Sequence, residues 1–368
     1  MHPDSTQTLI QAGVSGQLLS VLEDIVHKVE VSADFSIRHP DYKPLELPVD
    51  AVARFQKLNP QMQQKYLSLQ LRGFLYGIYY NGSLRRFLAL DAEKNNLPLD
   101  LENNTYLGVD MDFYEQLHQS NFGEGYFDYG WSVVREETDG TLAVTKNNLR
   151  LHIEKSRHLQ PNEHAASVGD AVAVLLPKNR VQNGFYMAVG NQGLKSRSDQ
   201  GKLSLVRIYF NLTLTGAVAV MESLTQQLNQ MAIPFSFKVL YNPKDYHRYD
   251  SGVLYFEKNY YDRIRQVITT VYKQNESHFK SEVPLFTLQL APGLGLAEEP
   301  DQKFAVKESF GMNRCQIVAN GLLEATEQRI DTASGRIKAV LEQFSRLNID
   351  LSHVHLNANS TDIYTSLF

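Results

Sequence analysis

The chain has 368 residues, of which 43% are hydrophobic, and its formal net charge at pH 7 is -5. This length can bury one large core or two smaller ones. The negative charge argues against a general nucleic-acid-binding protein, because such proteins usually carry a basic surplus. The single cysteine, Cys315, excludes an intramolecular disulfide framework and a cysteine-based zinc site. Since neither a signal-peptide pattern nor a long apolar run is seen, we expect a cytoplasmic protein without a membrane partner.

The first 120 residues are predicted to be mostly helical. Apolar residues at helical spacing predict a helix over residues 6–30. A second helix is predicted over 60–80, with a proline at its first position, where proline is well tolerated. Residues 38–50 are interpreted as a loop between these helices, because HPDYKP and LPVD contain several turn-forming residues.

Asp110 and Asp112 form a D-x-D pair at the start of a short helix predicted over 109–120. Such a pair can hold a divalent metal ion through its carboxylate oxygens. Aspartate also favours the first turn of a helix, where it caps free N–H groups. No other carboxylate cluster stands nearby, and the histidines between residues 152 and 164 lack the spacing of a zinc site. We therefore predict neither a metal ion nor another cofactor.

From residue 121 onward, Gly and aromatic residues are followed by many short segments typical of strands. Such a meander predicts a mainly antiparallel sheet and not alternating βαβ units. The predicted strands are WSVVRE, TLAVT, LRLHI, DAVAVLLP, GFYMAVG, LSLVRIYFNL, FSFKVLY, SGVLYFE, PLFTLQL and residues 350–355. The predicted helices of this part span residues 217–231, 259–275, 309–326 and 332–347, and APGLGLAEEPD is interpreted as a loop.

The fold class that follows is α+β, with a mainly antiparallel sheet flanked by helices and a helical N-terminal region. We predict a boundary after residue 120. A helical N-terminal region would occupy residues 1–120, and an α+β domain would occupy residues 121–368.

Several of the predicted strands carry a cation among apolar residues. Arg150 and His152 lie two residues apart and therefore on one face of a strand. Lys178 follows the end of the next apolar run. Arg207 and Lys238 lie inside nearly continuous apolar runs, which predict central strands. A charge in such a strand costs free energy unless it is paired, so these side chains have buried partners, face solvent or share an anionic ligand.

A convergent set of Arg, Lys and His side chains with Tyr hydroxyls suits a phosphate ester, because guanidinium groups bind phosphate oxygens in pairs. A histidine can act as a general acid and a lysine of lowered pKa as a general base. This chemistry fits β-elimination of phosphate from phosphoserine or phosphothreonine. An alternative for Arg314, at a predicted helix start, is to cap a carbonyl or hold that helix in place. The further candidates for binding phosphate or substrate are Tyr186, Tyr209, Arg248 and Arg314.

Many stretches of the chain resemble the HopA-type family, known from plant-pathogen type III effectors and from class V lanthipeptide and thioamitide gene clusters. The resemblance implies an α+β fold distantly similar to phosphothreonine lyases. It also implies a lyase that acts on a precursor peptide phosphorylated by a separate Ser/Thr kinase and leaves dehydroalanine or dehydrobutyrine. The stretches that carry the resemblance are FLYGIYYNGSL, GEGYFDYGW, LRLHI, PKNRVQNGFYMAVGN, VRIYFNLT, FKVLYNP, DSGVLYF, APGLGLAEEP and SFGMNRCQIVANGL.

The phosphothreonine lyases carry a strand motif Lys-Phe-His-Ile-Ser and a catalytic lysine on a later strand. The stretch LRLHI is similar to this motif, with Arg in place of Lys and Leu in place of Phe. The resemblance therefore implies that His152 is the general acid, Lys178 the base for the α proton and Arg150 a phosphate ligand. Arg207, Lys238 and the other candidates are predicted on physical grounds alone.

Two alternatives to the lyase stay open. The chain can be a non-catalytic, effector-like protein that engages a partner protein through a Tyr-rich surface. The same cations can also bind a nucleotide or a pantetheine-like phosphate ligand. An amphipathic first helix, in place of a Ser-rich secretion segment, favours the enzyme.

Overall fold

A seven-stranded antiparallel sheet is the main element of the computed structural model, which describes residues 11, 13–32, 34–46, 49–92, 108–193 and 204–368. Its strands follow the order β13-β14-β10-β12-β11-β9-β8. They are β8 Asn179–Gln182, β9 Phe185–Val189, β10 Leu205–Phe210, β11 Ser236–Leu240, β12 Gly252–Glu257, β13 Leu288–Ala291 and β14 Leu294–Glu298.

Two smaller sheets accompany it. A four-stranded sheet has the order β6-β5-β4-β7 and encloses a small core around Trp131. A three-stranded sheet lies in the N-terminal region in the order β1-β2-β3. Their strands are β1 Glu30–Val31, β2 Ile37–His39, β3 Tyr42–Leu45, β4 Tyr126–Glu136, β5 Leu142–Lys146, β6 Leu149–Ile153 and β7 Ala171–Leu176.

Nine α-helices pack around these sheets in the described part of the chain. They are α1 Gly16–Lys28, α2 Val49–Phe55, α3 Pro60–Leu75, α4 Met111–Ser120, α5 Lys155–His158, α6 Leu214–Gln230, α7 Tyr261–Asn275, α8 Phe310–Glu327 and α9 Ala333–Arg346. A π-helix, Tyr76–Tyr80, continues directly from α3. Short 3-10 helices are Pro161–Glu163, Pro243–Asp245, Lys258–Tyr260, Glu276–His278 and Leu351–His353.

The seven-stranded sheet is covered on both faces. Alternate residues of its strands point to opposite sides. Val206 and Ile208 belong to a core that includes α6 and α7. Tyr209 and Val253 belong to a second core that includes α3, the π-helix and α8. A polar side chain on an interior strand is therefore buried between the sheet and a helical layer.

The predicted α+β class is confirmed, since every strand pairing in the described residues is antiparallel and helices flank the sheets. The helix predicted over 6–30 is α1, Gly16–Lys28, and residues 6–10 lie outside the described part. The helix predicted over 60–80 becomes a π-helix after Leu75. The domain boundary after residue 120 stays a prediction.

Three local predictions were wrong. Residues 38–50 include strand pairing, because Ile37 pairs with Leu45 and is fully buried. The stretch APGLGLAEEPD contains β14, whose residues are all buried. Gly293 lies in the turn before this strand, at a φ of 72°. Residues 350–355 contain a 3-10 helix, Leu351–His353, and not a strand, and the Asp350 carboxylate caps it by accepting a hydrogen bond from the Ser352 N–H at 2.8 Å.

Candidate functional site

A narrow cleft, which we call the cation cleft, lies on the α8-facing side of the seven-stranded sheet. Three cations line it, namely Arg207, Lys238 and Arg248, together with aromatic rings. The empty volume among them, open mouth included, is about 260 Å³. The enclosed part admits only about one water molecule. A larger group therefore has to displace side chains when it enters.

The strand register brings these side chains together. Lys238 pairs with Val253 on β12, and Val253 pairs with Tyr209 on β10, so the three form a row across the sheet. Arg207 pairs with Tyr255 in the next row on the same face. Because residues two apart on a strand share a face, Arg207 and Tyr209 both point to the cleft. Ile208, which lies between them, belongs to the core on the opposite face of the sheet.

Lys238 is the cation of the cleft with the fewest partners. It is 5% exposed, and its ammonium lies 4.2 Å from the centre of the Phe185 ring and 5.6 Å from that of Tyr255. Within the described residues it forms no hydrogen bond or ion pair, although its charge acts on Asp250. Cation–π contacts replace only part of the lost hydration. An anionic ligand in the cleft would therefore stabilise Lys238.

Arg248 is held in place by a carboxylate. Its Nε and Nη2 donate to the two oxygens of Asp250, both at 2.9 Å, and both side chains are buried. Asn81 also donates to Asp250, at 3.2 Å. Burial raises the pKa of Asp250, but Arg248 and Asn81 outweigh burial and leave this pKa below its ordinary value. The carboxylate therefore stays charged and orients the guanidinium.

Arg207 is oriented in a similar way. Its guanidinium pairs with Glu299 and stands 5.0 Å from the centre of the Tyr255 ring. Burial raises the pKa of Glu299, but Arg207 and Lys303 outweigh burial and leave this pKa lowered. Both guanidinium groups are thus oriented by carboxylates, and each shares an aromatic ring with Lys238, Tyr255 for Arg207 and Phe185 for Arg248.

Two tyrosine hydroxyls complete the cleft. Tyr80 and Tyr209 are almost fully buried, and each influences the ionisation of the other. Neither hydroxyl makes a hydrogen bond of standard geometry within the described part of the chain. Burial raises the pKa of both hydroxyls well above the ordinary value. They are therefore neutral phenols at physiological pH and can donate a hydrogen bond to an anion.

The π-helix and α8 position Tyr80 over the sheet. The π-helix stacks Tyr76 on Tyr80 with ring centres 4.9 Å apart. Helix α8 begins at the cleft, where the Ser309 hydroxyl accepts a hydrogen bond from the Met312 N–H. A Cβ on Gly311 would collide with the Tyr80 ring. Glycine at this position therefore lets the first turn of α8 pack directly on Tyr80.

His152 and Arg150 lie elsewhere. Both are exposed on β6, the edge strand of the four-stranded sheet. The His152 Nδ1 lies 3.5 Å from Glu137, and the His152 side chain is 54% exposed. The structure does not bring these two residues to the cation cleft.

Lys178 and Tyr186 meet at a third place. The Lys178 ammonium donates to the main-chain oxygen of Asn121 at 2.8 Å, and the Asn121 side chain donates to the Tyr186 hydroxyl at 3.0 Å. Burial lowers the pKa of Lys178, while Glu115 raises it in part. No contact joins Lys178 to His152 in the described residues, so the acid–base pair implied by the phosphothreonine lyases is not assembled.

Arg314 takes the alternative role left open above. Its guanidinium donates to the carbonyls of Val354 at 3.0 Å and Leu356 at 2.6 Å, and to the Asn313 side chain at 2.6 Å. Burial lowers its pKa to about 10, so it stays charged at neutral pH. Arg314 thus ties α8 to the C-terminal segment.

Four of the residues predicted from the sequence line the cleft, namely Arg207, Tyr209, Lys238 and Arg248. Their partners were not predicted. The sequence feature that could have pointed to Tyr76 and Tyr80 is the density of Tyr and Gly in YGIYYNG, which is unusual for a surface helix. The acidic partners had no signal, because they lie in turns whose contacts depend on the fold. The residues missed are Tyr76, Tyr80, Asn81, Asp250, Tyr255, Glu299 and Ser309.

Within the described residues, no group of three or more His, Cys, Asp or Glu residues could hold a metal ion. Asp110 caps α4 by accepting the Phe113 N–H at 2.9 Å. Among the helices that the structure describes, none has the length and apolar character needed to cross a membrane.

Comparison with known proteins gives one family. The model of the HopA1 effector protein family matches residues 176–356, a range that contains Arg207, Lys238 and Arg248 but not His152. No curated protein sequence matches the chain.

Two solved structures of effector proteins are similar to the chain. The effector from Pseudomonas syringae pv. tomato strain DC3000 is 15% identical, with a TM-score of 0.41, and the match covers 83% of this chain and 94% of that one. The effector from Pseudomonas syringae pv. syringae strain 61 is 12% identical, with a TM-score of 0.40, and the match covers 81% and 98%. Residues 176–356 thus match the HopA1 effector protein family, the family that the motifs of the chain predicted.

Proposed function

We propose that this protein is a phosphoserine or phosphothreonine lyase whose cation cleft binds the phosphoryl group of a phosphorylated precursor peptide. The observation that carries the proposal is Lys238, a buried cation without a hydrogen-bond partner in the described residues, which shares the Tyr255 ring with Arg207 and the Phe185 ring with Arg248. Arg248 pairs with Asp250 and Arg207 with Glu299, so of these three cations only Lys238 lacks a carboxylate partner in the described residues.

The family motifs support the same place. Segments of FLYGIYYNGSL, VRIYFNLT, FKVLYNP, DSGVLYF, APGLGLAEEP and SFGMNRC all contribute side chains to the cleft or to its ion pairs. The stretch LRLHI contributes none. We therefore propose that the general acid and the general base lie in the cation cleft and are not His152 and Lys178.

The elimination uses groups that the cleft places together. The amine of Lys238 acts as the general base and accepts the proton from Cα of the phosphorylated residue. The electron pair of that C–H bond forms the Cα–Cβ double bond, and the Cβ–O bond breaks. Arg207 and Arg248 bind the non-bridging oxygens and neutralise the charge that builds up on the departing phosphate.

A phenol completes the proton balance. Tyr209, whose pKa is raised by burial, donates its proton to the bridging oxygen as phosphate leaves. The ammonium of Lys238 then returns a proton to the tyrosinate. The products are hydrogen phosphate and a peptide with dehydroalanine or dehydrobutyrine. The proposal includes a separate kinase that phosphorylates the peptide, and a cytoplasmic location for both proteins.

The test is to incubate the full chain with a synthetic phosphoserine peptide and follow its mass. The expected result is loss of the mass of phosphoric acid, followed by addition of a thiol to the dehydroalanine. The Arg207→Met variant should weaken binding of the phosphopeptide and leave binding of the unphosphorylated peptide unchanged.

Binding of the phosphopeptide without any loss of mass would overturn the lyase. That outcome would favour the second candidate, a non-catalytic protein that binds phosphate-bearing ligands. The observation that favours this second candidate is that the cleft is nearly closed in the structure.

A further inference from the structure

We infer that the loop of residues 299–308, between β14 and α8, is a peptide-binding rim of the cation cleft. It would select phosphorylated peptides with a large apolar side chain next to the phosphorylated residue. This inference rests on the proposed function, because it concerns the substrate of the same site.

Both ends of the loop belong to the cleft. At the first end, Glu299 forms the ion pair that orients Arg207. At the other end, Ser309 lines the cleft and caps α8. The loop between them is therefore next to the place where a phosphoryl group would bind.

The loop has a defined internal structure. The Phe304 N–H donates to the Glu308 carboxylate at 2.9 Å, and the Asn313 side chain donates to the same carboxylate at 3.0 Å. Asn313 also donates to the carbonyl of Gln302 at 2.9 Å. Buried Glu308 thus fixes the backbone of the loop at Phe304, and Asn313 fixes it at Gln302.

The tip of the loop presents apolar side chains to solvent. Residues 301–307 are all exposed, and Phe304 is 47% and Val306 96% exposed. Lys307, next to them, forms no ion pair with any residue that the structure describes. Two exposed apolar side chains beside the ammonium of Lys307 fit a peptide that is both apolar and acidic.

The small size of the cleft gives the loop its role. The enclosed part of the cleft is smaller than a phosphoryl group, so the rest of a bound peptide has to lie across its mouth. Residues that flank the phosphorylated position would then contact Phe304 and Val306. Lys307 would lie near the negative charge of the phosphopeptide.

The test uses two peptides that contain α-methyl phosphoserine, which has no α proton and cannot be eliminated. One peptide has leucine on both sides of this residue and the other has glycine. The double variant Phe304→Ala/Val306→Ala should bind the leucine peptide about tenfold more weakly than the unchanged chain, because apolar burial is lost. Its affinity for the glycine peptide and for inorganic phosphate should stay within twofold.

A control double variant, Leu149→Ala/Val168→Ala, removes two similarly exposed apolar side chains from the region of the four-stranded sheet. It should bind both peptides like the unchanged chain. Unchanged affinity of the rim variant for the leucine peptide would overturn the inference, and so would an equal loss for both peptides. If the unchanged chain is a dimer by analytical ultracentrifugation and the rim variant is a monomer, the loop is a self-association surface instead. Failure of the proposed function looks different, since the unchanged chain would then leave the mass of an ordinary phosphoserine peptide unaltered, whatever the rim variant does to the affinities.

Discussion

The seven-stranded and four-stranded sheets both carry cations among apolar residues, yet they bury them to opposite degrees. Arg207 and Lys238 lie on β10 and β11, which are interior strands of a sheet covered on both faces. Arg150 and His152 lie on the edge strand β6 of the four-stranded sheet and are exposed. In sequence, both pairs alternate with apolar residues and look alike.

The difference lies in what the surroundings require. On β6, water solvates the charges, so His152 can do without a ligand. In the seven-stranded sheet, each cation has lost most of its water, and each has to recover that free energy from a carboxylate, an aromatic ring or a ligand. A cation in a strand therefore points to a binding site only when the strand is interior and the face it points to is covered.

Replacement of Lys238 is expected to have the largest effect on activity. The Lys238→Met variant keeps an apolar side chain of similar length but removes the amine. If Lys238 is the base, we expect elimination from a phosphoserine peptide to slow by a factor on the order of a hundred or more. The rate of dehydroalanine formation, followed by mass spectrometry, checks this.

The matched control for this experiment is Lys178→Met, which removes the lysine implied by the phosphothreonine lyases. That variant should keep most of the activity. Loss of activity in Lys178→Met, with Lys238→Met fully active, would return the chemistry to the place where Lys178 contacts Asn121. The melting temperature of each variant shows whether it is folded.

The Arg248–Asp250 pair should have the second largest effect, on stability. Arg248→Met leaves a buried carboxylate without its partner, which is expected to cost about 3–5 kcal/mol in the free energy of unfolding. The ion pair between Lys146 and Asp128 in the four-stranded sheet, also at 2.8–2.9 Å, is partly exposed. Lys146→Met should therefore cost only about 1 kcal/mol or less. Denaturant unfolding of both variants measures the contrast.

The double variant Arg248→Met/Asp250→Asn sharpens this contrast, because it removes both charges. It should recover part of the stability lost in Arg248→Met. If Arg248→Met and Lys146→Met destabilise the protein equally, the cation cleft is no more buried than the four-stranded sheet, and the physical basis of the comparison fails.

Part of this arrangement could be predicted from the sequence. The nearly continuous apolar residues around Arg207 and Lys238 predicted interior strands, and the structure has both in the interior of the sheet. Strand alternation also predicted that Arg150 and His152 share a face. These properties are local, because they depend only on the residues next to each cation.

The rest depends on packing between distant segments. Tyr80 reaches the cleft from a π-helix, and Gly311 makes room for it from the start of α8. No local pattern connects these two positions. The glycines of APGLGLAEEPD led to the prediction of a loop where the structure has strand β14. Gly295 is required in this strand because Thr287 packs against it. For the same reason, the carboxylates that orient the arginines could not be assigned before the fold was known.

The smallest effect is expected for His152, and it is the outcome that decides between the two sheets. His152→Ala removes an exposed ring that lies 3.5 Å from Glu137. Exposed ion pairs of this kind contribute between about 0 and 1 kcal/mol, so the free energy of unfolding should change by less than about 1 kcal/mol. The rate of phosphate elimination should stay within twofold of that of the unchanged chain, because no step of the proposed reaction involves the four-stranded sheet. The measurement is the same mass-spectrometric assay used for Lys238→Met, at saturating peptide.

A folded His152→Ala protein with a hundredfold lower rate would show that the edge strand supplies the general acid after all. The two sheets would then have to approach each other in the complex with the peptide, and Tyr209 would lose its assigned role.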